Sequence, residues 1–415
     1  AFAGLVFDGF ELGLMPVASL SISKSLLGVG YTDKLGGHWF ALFTASLMLG
    51  AALGGIVLGN LGDRIGRTRA MGVSILFYSL FAGLGALVRT QEQMLVLRFF
   101  VGLGVGGMWP NGVVLVSECW PNASRPVVAG VMGAGVNFGI LVLSQLVHVF
   151  HITPDGWRWI FKIAAVPAAL GLLVICWLPE SPKWITARDH QQRAPAAGSE
   201  NNLRSSGKIA PAATMGELFR PGLLRLTVIG IVLASIPLVG AWAASKWMIP
   251  WADKVAGATQ PNYKAVVQGW WALGATLGSF CGAQVAGWLG RRRSYFLISL
   301  GTTALTISMF QLTAPLHPSF LPVVFAQGFV ATLFFGWLPL YLPELFPTRV
   351  RATGAGLAMN SGRFATAGGV FVAGAAFAWM GGSYPAVGAV GALIYALGMV
   401  AIWFAPETSR KNLYD

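Results

Sequence analysis

Charge is scarce in this sequence. Only 10% of its 415 residues are Asp, Glu, Lys or Arg, against about 25% in an average soluble domain. A soluble chain of this length could not cover its surface with so few charges, which excludes an ordinary cytosolic globular enzyme. Cysteine is equally sparse. Cys119, Cys176 and Cys281 are scattered and cannot build a secreted disulfide scaffold. His38, His148, His151, His190 and His317 do not cluster with them, so no metal site is expected. Acidic residues number 15 against 28 Lys and Arg, a net charge of +13. The basic residues fall in short loops and form no stripe interleaved with aromatics, so nucleic acid is not an expected partner. Apolar residues are plentiful: 55% are hydrophobic, with 54 Gly, 16 Trp and 26 Phe. Such hydrophobicity excludes a disordered chain. The class that remains is a polytopic membrane protein, with the lipid bilayer as its surroundings.

About 20 apolar residues suffice to cross a bilayer as a helix. Twelve such runs are present, at 2–23, 38–60, 70–88, 94–117, 127–149, 157–178, 224–250, 265–289, 295–313, 320–342, 354–379 and 384–404. They are longer than barrel strands and lack strict alternation, so helices are expected. Residue 1 opens almost directly into an apolar run with no cleavable-signal pattern, and the natural chain is expected to begin upstream. One set of loops, with the stretch 185–222 and the C-terminal tail, holds 18 of the 28 Lys and Arg. That side is expected to be cytoplasmic, which places both termini inside. The stretch 185–222 is rich in Gly, Ser, Asn and Ala and reads as a linker between six spans and six.

The halves repeat. Glu118-x-x-Pro121-x-x-x-Arg125 recurs as Glu344-x-x-Pro347-x-x-x-Arg351, 226 residues on. Pro179-Glu180-Ser181 recurs as Pro406-Glu407-Thr408, 227 on, and the stretch ending at Arg67 recurs weakly ending at Arg291, 224 on. Duplicated six-helix halves imply a transporter architecture with its site between them.

Gly59-x-Leu61-x-Asp63-Arg64-x-Gly66-Arg67 is similar to the loop 2–3 signature of the major facilitator superfamily, and the resemblance extends over the whole chain. In the second copy Gly287 and Trp288 replace the Asp and Arg. Arg98-x-x-x-Gly102-x-Gly104-x-Gly106 resembles a pattern shared by sugar porters and metabolite–proton symporters. Trp109-Pro110-Asn111, Asp8-Gly9-Phe10-Glu11 and the run from Glu344 to Gly354 look more like aromatic-acid and organic-acid symporters. Span seven lacks the paired Gln of sugar porters and has Trp242, Lys246 and Trp247 instead.

Ionisable residues within spans are costly and functional by default. Asp8 and Glu11 lie three apart, about 300° around a helix, and so share a face. Two close carboxylates in a low dielectric cannot easily both ionise, which suits a proton-coupling site; Glu11 is expected to carry the proton and Asp8 to tune it. The other reading is a structural pairing. The resemblance implies that Arg98 faces span one and pairs with Glu11, with snorkelling to the interface as its alternative. Arg363 in span eleven can hold a substrate carboxylate bidentately, because no acid lies in the C-terminal half's spans; a contact to a carbonyl or Gln is the alternative. Lys246 is either a second binding cation or an interfacial residue. Asn111, Asn137, Gln145, Gln268, Gln327, Trp337 and Tyr341 are further candidates for lining a cavity, or for bonding helix to helix. Asp63, Arg64, Arg67, Glu118, Arg125, Arg291, Glu344 and Arg351 sit at cytoplasmic ends. The resemblance implies that they gate, latching the halves on the inside; otherwise they are topology signals and caps.

The expected protein is all-α, with twelve transmembrane helices in two pseudo-symmetric bundles, 1–184 and 223–415. The resemblance implies a secondary active transporter of the inner (plasma) membrane, symporting a small organic acid anion, aromatic or aliphatic, with protons by alternating access. No ATPase module is visible, so the proton gradient stands in place of a cofactor, and a monomer is expected. A sugar or polyol porter is the alternative within transport, and a non-transporting membrane sensor the alternative of another class.

Overall fold

A bilayer offers no hydrogen-bond partners to exposed backbone, so each crossing segment must close its own bonds as a helix. The computed structural model of the chain describes residues 1–120, 125–182, 184–186, 215–347 and 350–408. Among them, fourteen α-helices make twelve crossings. The first six crossings are α1 (Phe2–Leu27), α2 (Asp33–Ile65), α3 (Arg67–Leu84), α4 (Gln91–Cys119), α5 (Arg125–Val149) and the broken pair α6 (Arg158–Ala164) and α7 (Pro167–Trp177). The second six begin with the broken pair α8 (Pro221–Ala243) and α9 (Met248–Ala256). They continue with α10 (Tyr263–Leu289), α11 (Arg291–Gln311), α12 (Phe320–Leu345), α13 (Arg351–Trp379) and α14 (Tyr384–Ala401). Nine of these crossings are long and apolar enough to span a membrane by length and composition alone. The others, α10, α11 and α13, are diluted by Gly, Ser, Thr and Arg and pack as members of the same bundle. Most of the expected linker, 187–214, lies outside the described residues; its last part forms a 3-10 turn, Met215–Phe219, ahead of α8.

The duplication persists in the packing. Helix pairs α2–α4 and α10–α12 are the two most extensive contacts in the molecule, and both rest on glycine. A Cβ at Gly54 would lie 2.0 Å from the Leu103 carbonyl oxygen, and one at Gly278 would lie 2.1 Å from that of Phe329. Gly102 meets the Leu47 carbonyl at 2.2 Å, and Gly328 meets that of Trp271 at 2.3 Å. These pairs are 224 and 226 residues apart, the spacing of the sequence repeat. Small residues let backbones approach where no hydrophobic effect draws helices together.

The turns at 65–67 and 289–291 and the C-terminal ends of α4 and α12 share one end of the bundle with the segment leading to the linker; this is the linker end. The turns at 27–33, 149–158, 256–263 and 379–384 define the far end. The halves meet along α2 with α13 and along α5 with α10.

Gly278→Ala is expected to lower the thermal unfolding midpoint of the detergent-purified protein, since overpacking of a tight contact costs about 1–3 kcal/mol. Gly368→Ala, where a Cβ meets nothing within 4 Å, should leave the midpoint level or raise it. Equal effects would mean that α10 and α12 stand further apart than described.

Candidate functional site

Asp8 and Glu11 share a face of α1, but the fold gives them different surroundings. Glu11 is 1% exposed and turns into the N-terminal half, where Arg98 Nη1 donates to its Oε2 at 3.3 Å. Arg98 is fully buried on α4, with its guanidinium 5.5 Å from the centre of the Phe161 ring. It points inward and does not snorkel. Its Nε and Nη2 have no hydrogen-bond partner, so Glu11 is its one ionic contact among the described residues. Asp8 instead lines a cavity between the halves, and its Oδ1 has no hydrogen-bond partner.

That cavity has a volume of about 140 Å³. Its wall is mostly apolar, with Leu12, Met48, Val105, Ile140, Leu238 and Met359 among the lining residues. Three indoles, of Trp109, Trp242 and Trp271, also face it. Arg363 enters from α13. Its Nη1 donates to the carbonyls of Ala51 and Gly106, each at 3.3 Å, so it reaches across to α2 and α4 of the other half. Gly55 makes room for it: a Cβ there would lie 2.9 Å from Nη1. Lys246 follows α8 in the short turn Ser245–Trp247. Helix α8 stops at Ala243, and the Ala244 backbone leaves helical geometry, which turns Lys246 inward. The side chain is 1% exposed and its Nζ sits 3.2 Å from the centre of the Trp271 ring. It is a cavity residue in this structure, not an interfacial one.

Asn137 also lines the cavity. Its amide donates to Ser279 Oγ at 2.9 Å and so joins α5 to α10. The remaining polar candidates lie elsewhere. Asn111 donates to the carbonyls of Leu58 and Gly107, both at 2.9 Å, and fastens α4 to α2. Gln145 is exposed in a groove between α5 and α10 at the far end. Gln268 is fully buried, with neither amide atom bonded, beside Gly13 of α1. Gln327 bonds Trp271, Ser245 and Thr306 behind the cavity wall. Trp337 and Tyr341 stack on each other at the linker end, where Trp337 donates to the Arg291 carbonyl and Tyr341 to that of Pro406. A polar group in a span marks a cavity only if its face turns inward, and the sequence does not fix rotation.

The charged residues at the linker end pair within each half. Arg67 bonds Asp63 and stands 3.8 Å from Glu118. Arg291 takes Glu344 bidentately, Nε to Oε2 at 3.0 Å and Nη2 to Oε1 at 2.8 Å. The difference follows from Gly287 in place of Asp: with no nearer acid, Arg291 turns Nε and Nη2 to Glu344, while Nη1 donates to the Ala286 carbonyl at 2.8 Å. Arg64 is exposed, and Arg351 Nε donates to the Phe346 carbonyl of its own half at 3.4 Å. The Arg125 side chain lies outside the described residues, as do Pro121 and Arg349. These pairs therefore brace single halves in this conformation, where the sequence had suggested a latch between them.

Ties between the halves gather at the far end. Lys254 pairs with Asp33 at 3.2 Å. Lys264, paired with Asp253 at 3.1 Å, donates to Ser21 of the other half at 2.9 Å. Trp247 packs edge-on to Phe40, 5.1 Å between centres, and against Phe377 at 5.0 Å. Sequence reasoning gave these residues no gating role. The signal was available in Asp33, Asp253, Lys254 and Lys264, charges of both signs in loops on the poorer side. Sequence reasoning likewise passed over Trp271, one of two adjacent tryptophans, as a cavity residue.

Two pseudo-symmetric six-helix bundles around a central cavity define a secondary transporter of major facilitator type. The sequence pattern of the family described as Sugar (and other) transporter matches residues 1–415, and the chain belongs to that family. It is 29% identical to a cis,cis-muconate transport protein of Acinetobacter baylyi, over 88% of this chain and 84% of that one. It is 26% identical to an arabinose-proton symporter of Bacillus subtilis, over 76% and 73%. In fold it is similar to the inward-open conformation of the xylose transporter of E. coli, with a TM-score of 0.70 at 19% identity, covering 100% of this chain and 96% of that one.

Removing one partner of a buried ion pair strands the other charge, at about 3–5 kcal/mol. Glu11→Ala alone should therefore destabilise the protein more than Glu11→Ala with Arg98→Leu, read from unfolding midpoints. An additive pair of losses would mean that the 3.3 Å contact carries no coupling.

Proposed function

We propose that this chain carries a small organic acid anion together with a proton, by alternating access. The observation that carries this reading is the cavity's charge. Arg363 and Lys246 line it, and neither forms an ion pair among the described residues. Asp8, on the same cavity, acts on Arg363 through space without forming an ion pair, so the site holds two cations to one acid, and an excess of buried positive charge attracts an anion. The apolar wall and three indoles suit an unsaturated or aromatic carbon skeleton. The name of the muconate relative points the same way.

Glu11 is the proton carrier in this proposal. Its charge is answered by Arg98 alone, so taking a proton dissolves the pair and frees α1 to shift against α4. Asp8, one helical turn away and facing the cavity, passes the state of the substrate site to Glu11. The linker end, with its concentration of Lys and Arg, faces the cytoplasm of the inner membrane. The sealed far end then faces outward, and this conformation is inward-facing. A latch between the halves at the linker end belongs to the opposite state, built by freeing Arg67 or Glu118 from its present partner.

A sugar or polyol porter is the second reading, favoured by the arabinose and xylose relatives. A sugar needs many polar groups matched to its hydroxyls, whereas Asn137 is the one amide among the lining residues.

In liposomes, Glu11→Gln is expected to abolish uphill acid uptake driven by a proton gradient while leaving substrate exchange intact. Equal loss of both would make Glu11 structural. Arg363→Ala should weaken acid binding by a factor of ten or more, about 1.5–3 kcal/mol for a charge-assisted bond, and Arg363→Lys should restore part of it. Binding of a neutral sugar untouched by Arg363→Ala, with no acid bound, would replace this reading by the second. No counterflow with any solute would point to a sensor.

A further inference from the structure

Lys246 is held in place more firmly than a stray interfacial lysine would be. Its Nζ rests on the face of Trp271, an arrangement that fixes a cation without neutralising it. The indole Nε1 of Trp271 donates to Gln327 Oε1 at 2.7 Å. Gln327 Nε2 in turn donates to Ser245 Oγ at 2.6 Å and Thr306 Oγ1 at 3.2 Å, and Ser245 shares a hydrogen bond with Tyr395 at 3.0 Å. Five crossings of the C-terminal half thus support one ring, and the ring carries one ammonium. Lys246 is 1% exposed, yet its Nζ has no hydrogen-bond partner.

The same half presents Arg363 to the same cavity from α13. A monocarboxylate bound at Arg363 leaves the ammonium of Lys246 desolvated and unanswered, a costly state for a buried charge. Asp8, on the opposite wall, stands within ion-pair distance of neither cation. We propose that the cavity takes a dicarboxylate, with one carboxylate on Arg363, the other on Lys246, and its apolar spacer against Trp242 and Trp271. This rests on the acid-transport reading and narrows it to dianions. Both anchors belong to the C-terminal half, so the dianion stays on one half while the other moves past it, and Arg363 alternates between substrate and the carbonyls of Ala51 and Gly106.

The test is isothermal titration of the full-length, detergent-purified protein at neutral pH. The probes are short aliphatic, unsaturated and aromatic diacids, cis,cis-muconate among them, each paired with its own half-ester. The half-ester keeps the shape and loses one charge. At least one diacid is expected to bind about ten-fold or more tighter than its half-ester, the worth of one charge-assisted contact. Lys246→Gln should bring that ratio close to one, and Lys246→Arg should keep it. Diacids and half-esters binding equally to the wild type would overturn the proposal and leave acid transport standing, as would a ratio that survives Lys246→Gln. Binding of neither would overturn both. Should Lys246→Gln fail to fold, the wild-type ratio and Lys246→Arg decide.

Discussion

A charge inside a bilayer must be answered, and that constraint organises this molecule. Arg98 is answered by Glu11, Lys264 by Asp253 and Arg291 by Glu344. Each of these buried pairs closes within a single half; among the described residues the pair that crosses between halves, Lys254 with Asp33, lies at the exposed far end. The charges left without an ion pair among the described residues of the core, Asp8, Lys246 and Arg363, face the space between the halves. What the helices bury is therefore neutralised locally, and what they leave open is gathered where a solute can reach it.

The halves are copies, but unequal ones. The glycine contacts recur at matching positions, and so does the arginine–glutamate brace. Divergence appears where function concentrates. The N-terminal half keeps a buried pair on α1 and α4 together with one cavity acid. The C-terminal half keeps two cavity cations, one on a broken helix and one reaching across to its neighbour's carbonyls. A shared scaffold thus places an acid on one side of the cavity and two cations on the other.

The apolar runs made the twelve crossings legible, because helix length and membrane thickness are matched by physics. The repeat was legible from Glu118 and Glu344, and the Glu11–Arg98 pair from its resemblance to known patterns. The placement of Lys246 was not, because it depends on the break after Ala243, which no proline or glycine announces there. Trp337 and Tyr341 looked like cavity residues on the strength of their polar tips. Both tips are spent on carbonyls at the linker end, and only the rotation of α12 decides that. The far-end ties were hidden for a similar reason. Each joins residues far apart in the chain, and a loop charge gives no hint of its partner.

Gly66 and Gly290 turn the chain at positive φ, 108° and 83°, into the starts of α3 and α11. There the carboxylate of Glu180 accepts from the backbone of Thr68 at 2.9 Å, and that of Glu407 accepts from Arg291 and Arg292 at 3.0 Å each. Negative charge at a helix start is favourable, and here it is delivered by the segment just after each half's sixth crossing. The clasp thus ties the end of a half back to its own third crossing, and both of its ends are encoded in one stretch of about half the gene. Each half is thereby closed on itself by a contact that needs nothing from the other half.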